Sequence, residues 1–208
     1  MQKTNYGKML DTKLEYLAKN GEKPSLMLHA CCAPCSSHTL LYLYNHFDIT
    51  VFFFNPNIAP ESEYDFRKQE LKRLIAEMNL DVKMIDADYN PQPFYELARG
   101  LENLSERGLR CQRCIEYRLR RTAESARNAG ADYFTTTLTI SPHKDCDFIN
   151  KCGGMIADET GVQYLFSDFK KHDGYKHSIE LSKQYNLYRQ NYCGCIYSKR
   201  GSENGQGS

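Results

Sequence analysis

The chain has 208 residues and a mass of 24.1 kDa, the size of one ordinary domain with room for a real core. Lys and Arg number 27 against 26 Asp and Glu, a net charge of +1 that names no partner. A composition of 41% apolar and 25% charged residues describes a globular chain, and no apolar run reaches the ~20 residues of a membrane-spanning helix. The opening Met1-Gln2-Lys3-Thr4-Asn5-Tyr6 has no signal-peptide core. The expected setting is the cytoplasm, where thiols stay reduced, so nine cysteines point to metal or catalysis before disulfides.

Periodicity predicts elements along the whole chain. Met9–Leu17, apolar at 9, 10, 14 and 17, reads as a helix ended by Gly21 and Pro24. Ser25–Ala30 is a buried strand, Ser36–Phe47 a helix, and Asp48–Phe54 a strand broken by Asn55-Pro56-Asn57. Glu63–Met78 reads as a helix with Phe66, Leu71, Leu74, Ile75 and Met78 inward, followed by a strand at Val82–Ile85. Pro91 and Pro93 open a helical region to about Asn103, and a second helix runs from about Arg113 to Ala129. Asp132–Leu138 is a strand, His143–Glu159 mixed helix, Val162–Phe166 a strand and Tyr175–Asn186 a helix. Strands alternating with helices imply an α/β fold, a mostly parallel sheet with helices on both faces. No linker interrupts residues 1–200, which read as a single domain. The last eight residues, GSENGQGS, read as a disordered tail or an expression remnant.

Seven cysteines fall in three groups. Cys31, Cys32 and Cys35 form CCAPC after the first strand, Cys111 and Cys114 form CQRC at a helix start, and Cys193 and Cys195 form CGC. In a parallel sheet, functional loops gather beyond the carboxyl ends of the strands. That rule places CCAPC and CQRC on one rim, and CGC is able to fold over it. Structural zinc takes four ligands in two spaced pairs, which seven thiols and an adjacent Cys31-Cys32 pair do not match. Iron–sulfur clusters tolerate irregular spacing, so they are the favoured species. Cys146 and Cys152 stand apart and read as small buried hydrophobes.

Arg110 and Arg113 beside CQRC, with the helix N-terminus, favour thiolates. Between Arg107 and Arg127 seven arginines face Glu116 and Glu124, a local net of +5. Such a run is often only a solvated face, but Arg also grips phosphates in bidentate fashion. Lys170, Lys171 and His172 add basic groups after the fifth strand, and RNA is the natural polyanion. No glycine-rich dinucleotide or P-loop motif follows any strand, which disfavours nucleotide binding there.

LHACCAPCS (Leu28–Ser36), FFFNPNIAPESEY (Phe52–Tyr64), CQRCIEYRL (Cys111–Leu119), TTTLTISPHKD (Thr135–Asp145), DFKK (Asp168–Lys171) and YRQNYCGCIYS (Tyr188–Ser198) resemble the cobalamin-independent epoxyqueuosine reductases, the QueH family. The resemblance implies two-electron removal of the epoxide oxygen of epoxyqueuosine at the wobble base of tRNA with a GUN anticodon. It also implies a HUP/PP-loop-like fold, a 4Fe–4S cluster with an adjacent single iron, no cobalamin and an external electron donor. Carried over, Cys31, Cys32, Cys111, Cys114, Cys193 and Cys195 are the metal thiols, with Cys35 a further member. His143, Asp168 and Tyr192 are candidate proton donors because they lie in rim loops. Arg110, Arg113, Arg118, Arg121, Lys144, Lys170 and Lys171 are candidate tRNA contacts, and Asn55 and Asn57 candidate readers of the substrate. His29 reads as a structural histidine. Two alternatives stay open: an iron–sulfur tRNA-thiolating enzyme of PP-loop type, which needs ATP, and a zinc-stabilised RNA-binding domain.

Overall fold

The computed structural model describes residues 4–198, so the expected tail at 201–208 lies outside the described residues. Strands β1 (Ser25–His29), β2 (Asp48–Phe53), β3 (Lys83–Asp86), β4 (Tyr133–Thr136) and β5 (Gln163–Tyr164) form one sheet in the order β3-β2-β1-β4-β5. Every pairing is parallel. Helix α1 (Tyr6–Asn20) precedes β1, then α2 (Ala33–Leu43), α3 (Glu61–Glu77), α4 (Gln92–Ala98), α5 (Leu109–Ala129) and α6 (Cys146–Thr160) fill the connections. Helix α7 (Gly174–Gln184) follows β5.

The expected elements are present, with shifted ends. Helix α2 starts at Ala33, earlier than predicted, because Pro34 sits in its first turn, where a missing N–H is harmless. Strand β5 is short, since only Tyr133 and Phe134 of β4 pair with it.

Successive strand residues face opposite layers. Leu26, Leu28, Val51 and Phe53 pack with Leu10, Leu40, Leu43, Leu71 and Leu74 on one side. Met27, Phe52 and Phe134 pack with Ile115, Leu119, Ala123, Ile149 and Ile156 on the other. Burial on both faces explains why the strands read as continuous apolar runs. Each such side chain contributes about 1.5–3 kcal/mol when fully buried. Phe66 corrects the predicted inner face of α3: it is 48% exposed and meets Tyr188 edge-on, ring centres 5.0 Å apart. Arg67 takes the buried place instead, at 2% exposure.

The strand order reverses direction at β1. The chain runs outward through β2 and β3, then returns to place β4 on the other side of β1. Loops leaving β1 and β4 therefore diverge, and a crevice opens at their carboxyl ends. CCAPC leaves β1 at that point.

Candidate metal centre

Cys32 is the residue before α2, in extended backbone, and Cys35 lies in the first turn of that helix. The sulfurs of Cys31, Cys32 and Cys35 lie within 4.8 Å of one another, with Cys31 Sγ 3.7 Å from Cys32 Sγ. Thiolates sharing one ion at about 2.3 Å each are at most about 4.6 Å apart, so this packing is close to what shared ligation requires. CQRC occupies the first two turns of α5, which begins at Leu109, before the predicted Arg113.

The CGC segment folds back over the same rim. Gly194 O accepts from Ala59 N–H at 3.0 Å, and its φ is 107°. A Cβ there would lie 2.9 Å from Ile58 Cγ1 and 3.0 Å from Arg67 Nη1. Glycine alone lets this loop pack so closely.

Two adjoining cavities result. Cys111, Cys114, Cys193 and Cys195 line a small one with Asn57, Arg110 and Arg118. Cys31, Cys32, Cys35 and Cys193 line a larger one of about 290 Å³ with Arg67, Gln190 and Tyr192. Cys193, Lys144 and Arg118 border both. The two cavities adjoin at Cys193, and among the described residues the sulfurs close enough to share one ion are those of Cys31, Cys32 and Cys35.

Its electrostatics fit a metal. Burial pushes Cys114 up to about 11 and Cys195 up to about 12, so these thiols stay protonated unless a cation binds. Cys32 goes the other way, lowered by hydrogen bonds first from Cys31 and then from Cys35. Lys144 Nζ lies 3.2 Å from Cys193 Sγ, and that thiol is the main reason the ammonium is held above its ordinary pKa. Arg110 and Arg118 are each 3% exposed. Among the described residues, the ion pairs of α5 belong instead to Arg120 and Arg121. A buried guanidinium without a carboxylate is costly. Thiolates on a metal would balance it.

Arg118 corrects the expected tRNA contact. Its Nη2 donates to Asn55 Oδ1 at 2.6 Å and its Nε to His29 Nε2 at 3.3 Å. Asn55 Nδ2 donates to Ala30 O at 2.9 Å, so both ends of that amide are engaged and Asn55 is not free to read a base. His29 is structural as expected, with Nδ1 2.8 Å from Thr136 Oγ1. Burial, then Arg118, holds it neutral with a pKa of about 3. Arg110 is likewise interior: its Nη1 donates to the carbonyls of Leu101, Glu102 and Leu104.

The other candidates divide. Arg113 and Arg121 are exposed, with Arg121 paired to Glu124 at 2.9 Å. Lys144 faces the thiols instead of solvent, and Lys170 turns inward to Thr139 O and Asp168, each at 2.8 Å. Lys171 is exposed. His143 and Tyr192 border the larger cavity. Asp168 is not among its lining residues and is paired with Lys170. Asn57 borders the smaller cavity. Cys152 is packed among Phe134, Ile149 and Ile156. Sequence reasoning missed Arg67 and Gln190; the signal for Arg67 was a charged residue four positions before Leu71 on the core face of α3.

Comparison with known proteins now bears on this geometry. The family model described as epoxyqueuosine reductase QueH matches residues 26–201. The chain belongs to the QueH family. It is 42% identical over 203 residues to the epoxyqueuosine reductase QueH of Streptococcus pyogenes serotype M1, covering 96% of this chain and 80% of that one. The QueH protein of Staphylococcus epidermidis is also 42% identical, with 95% and 85% covered. That of Thermotoga maritima is 36% identical over 177 residues, with 84% and 90% covered. QueH proteins are oxidoreductases by name. No helix among the described residues is long and apolar enough to cross a membrane.

Proposed function

We propose that this chain is an epoxyqueuosine reductase, removing the epoxide oxygen of epoxyqueuosine in tRNA to give queuosine. The observation that carries the reading is the convergence of CCAPC, CQRC and CGC on one pair of cavities in a QueH family member. The reaction takes two electrons and two protons, leaving an alkene and water. The residues to hold the cofactors are Cys31, Cys32, Cys111, Cys114, Cys193 and Cys195, with Cys35 beside them. A 4Fe–4S cluster with an adjacent single iron would supply electrons singly and a Lewis-acidic position for oxygen.

The chain's own groups manage the protons and the substrate. Lys144 Nζ holds a proton at the boundary of the two cavities. Tyr192 borders the larger one and stays a phenol, because burial and then the Glu63 carboxylate raise its pKa. His143 lines the same wall. Leu138, Ile140 and Pro142 supply apolar lining that limits water. A cavity of about 290 Å³ admits one splayed nucleotide's appendage and no duplex. The wobble base of a GUN anticodon would therefore enter alone, with exposed Arg113, Arg121 and Lys171 near the phosphates. Electrons come from an external donor, and the tRNA substrate fits a cytoplasmic setting.

The test is anaerobic reconstitution with iron and sulfide, followed by reaction with epoxyqueuosine-tRNA and a chemical reductant. Nucleoside mass spectrometry should show loss of one oxygen atom. A zinc-loaded, colourless protein that leaves the epoxide intact would refute the reading.

A further inference from the structure

The larger cavity contains two unmade hydrogen bonds that metal binding does not call for. Arg67 is 2% exposed. Its Nε donates to Glu63 Oε1 at 2.7 Å and its Nη1 to Cys193 O at 3.4 Å. The guanidinium carbon lies 5.2 Å from the centre of the Tyr192 ring. Its Nη2 is buried without a partner among the described residues. Gln190 lines the same cavity. Cys32 lines it too, and Gln190 Oε1 is also buried without a partner among the described residues.

One cavity therefore presents an idle donor and an idle acceptor beside the thiols. Native proteins rarely leave such atoms unmatched, and a ligand is a standard reason when they do. The pair restricts the ligand's chemistry. A phosphate would suit Arg67 but place negative charge against Gln190 Oε1. An ammonium would suit Gln190 but meet the guanidinium. Glu63 already neutralises Arg67 at 2.7 Å, so the pocket has little net charge to offer an anion. A hydroxyl satisfies both, since its oxygen accepts from Arg67 and its hydrogen is donated to Gln190.

We propose that Arg67 and Gln190 are substrate-recognition residues that hold one hydroxyl of the epoxide-bearing ring between them. The assignment rests on the epoxyqueuosine reading and deepens it. It positions the hydroxylated ring next to Cys32, while the tRNA body stays outside. It also replaces Asn55 as the reader of the substrate, because the Asn55 amide is consumed by Arg118 and Ala30.

The experiment compares two tRNAs of one sequence, carrying either queuosine or guanosine at the wobble position. Queuosine keeps the ring hydroxyls but has no epoxide, so binding is read without turnover. Affinities are measured anaerobically on protein loaded to equal metal content. The parent should bind the queuosine tRNA more tightly. Arg67→Met and Gln190→Leu should each cut that preference about tenfold or more, leaving affinity for the guanosine tRNA within about twofold. Arg67→Lys, which keeps the charge, should recover part of the preference. Gln190 lies outside the core, so its variant reports even where Arg67→Met folds poorly. A parent that reduces the epoxide yet binds both tRNAs equally would overturn the proposal alone, as would variants that keep the full preference. A parent that neither reduces nor discriminates would overturn the functional reading beneath it.

Discussion

The two ends of the sheet follow different rules. At the amino ends, Ser25 N–H and Oγ donate to Asp132 Oδ2 at 2.8 and 2.6 Å, and Asp132 N–H returns to Ser25 Oγ at 2.9 Å. At the carboxyl ends, Asn57 Oδ1, Arg67 Nη2, Arg110 Nε and Gln190 Oε1 are buried without partners among the described residues, and all four residues line the thiol cavities. The fifth such atom among the described residues, Tyr164 Oη, is on β5 and away from both. One end closes its hydrogen bonds to hold strands together; the other leaves them open for something to bind.

Six substitutions sharpen or break that division. The largest effect should come from the rim thiols. Cys32→Ser should abolish iron incorporation and turnover while the metal-free chain melts within a few degrees of the parent. Cys152→Ser, in the core under α6, should keep iron and turnover but lose about 1–2 kcal/mol of stability. Metal analysis and melting curves on both variants decide the matter; loss of iron in Cys152→Ser would mean that the ligand set is drawn wrongly.

Next come the arginines of α5. Arg118→Met strips partners from Asn55 and His29 and should cost about 2–3 kcal/mol, without changing the salt dependence of tRNA binding. Arg121→Ala should cost under about 0.5 kcal/mol yet lower the slope of log affinity against log salt by roughly one unit. Denaturant titrations and a binding series in salt measure each. Equal slopes in Arg121→Ala and the parent would mean that tRNA enters elsewhere.

His38 offers a pH-dependent test of stability. It lies on α2 with Nδ1 3.0 Å from His177 Nδ1, and it stacks on Tyr42. Tyr42 donates to Asp11, which also meets His172. Burial, then His177, lowers His38 to about 4 from 6.5. A folded value below the unfolded one gives stability that is full above pH ~6.5 and lost as pH falls toward ~4. Between pH 7 and 5 the parent should lose roughly 2 kcal/mol from this group, and His38→Gln should flatten that dependence in denaturant melts.

The amino end should affect stability alone. Asp132→Ala removes the two Ser25 contacts and should cost about 1 kcal/mol, leaving metal content and turnover at parental values. A drop in turnover there would show that the two ends are coupled.

The sequence by itself determined the succession of strands and helices, and it grouped the seven thiols. Both are local properties: side-chain period reports the element, and cysteine spacing reports which sulfurs one loop or turn presents. It also separated Ile115 and Leu119 as inward residues of α5, which are 5% and 0% exposed. Only the tertiary structure decided which arginines are interior. Arg110 and Arg118 are eight residues apart, as are Arg113 and Arg121, yet the first pair is buried and the second exposed. A helical sequence defines angles about its own axis, whereas the neighbours packed on that axis decide which angle faces protein. The same reason hid Arg67 and Gln190, which lie on α3 and in the segment after α7. They share a cavity because β1 is the strand where the sheet reverses, and the loops gathered there come from distant parts of the chain.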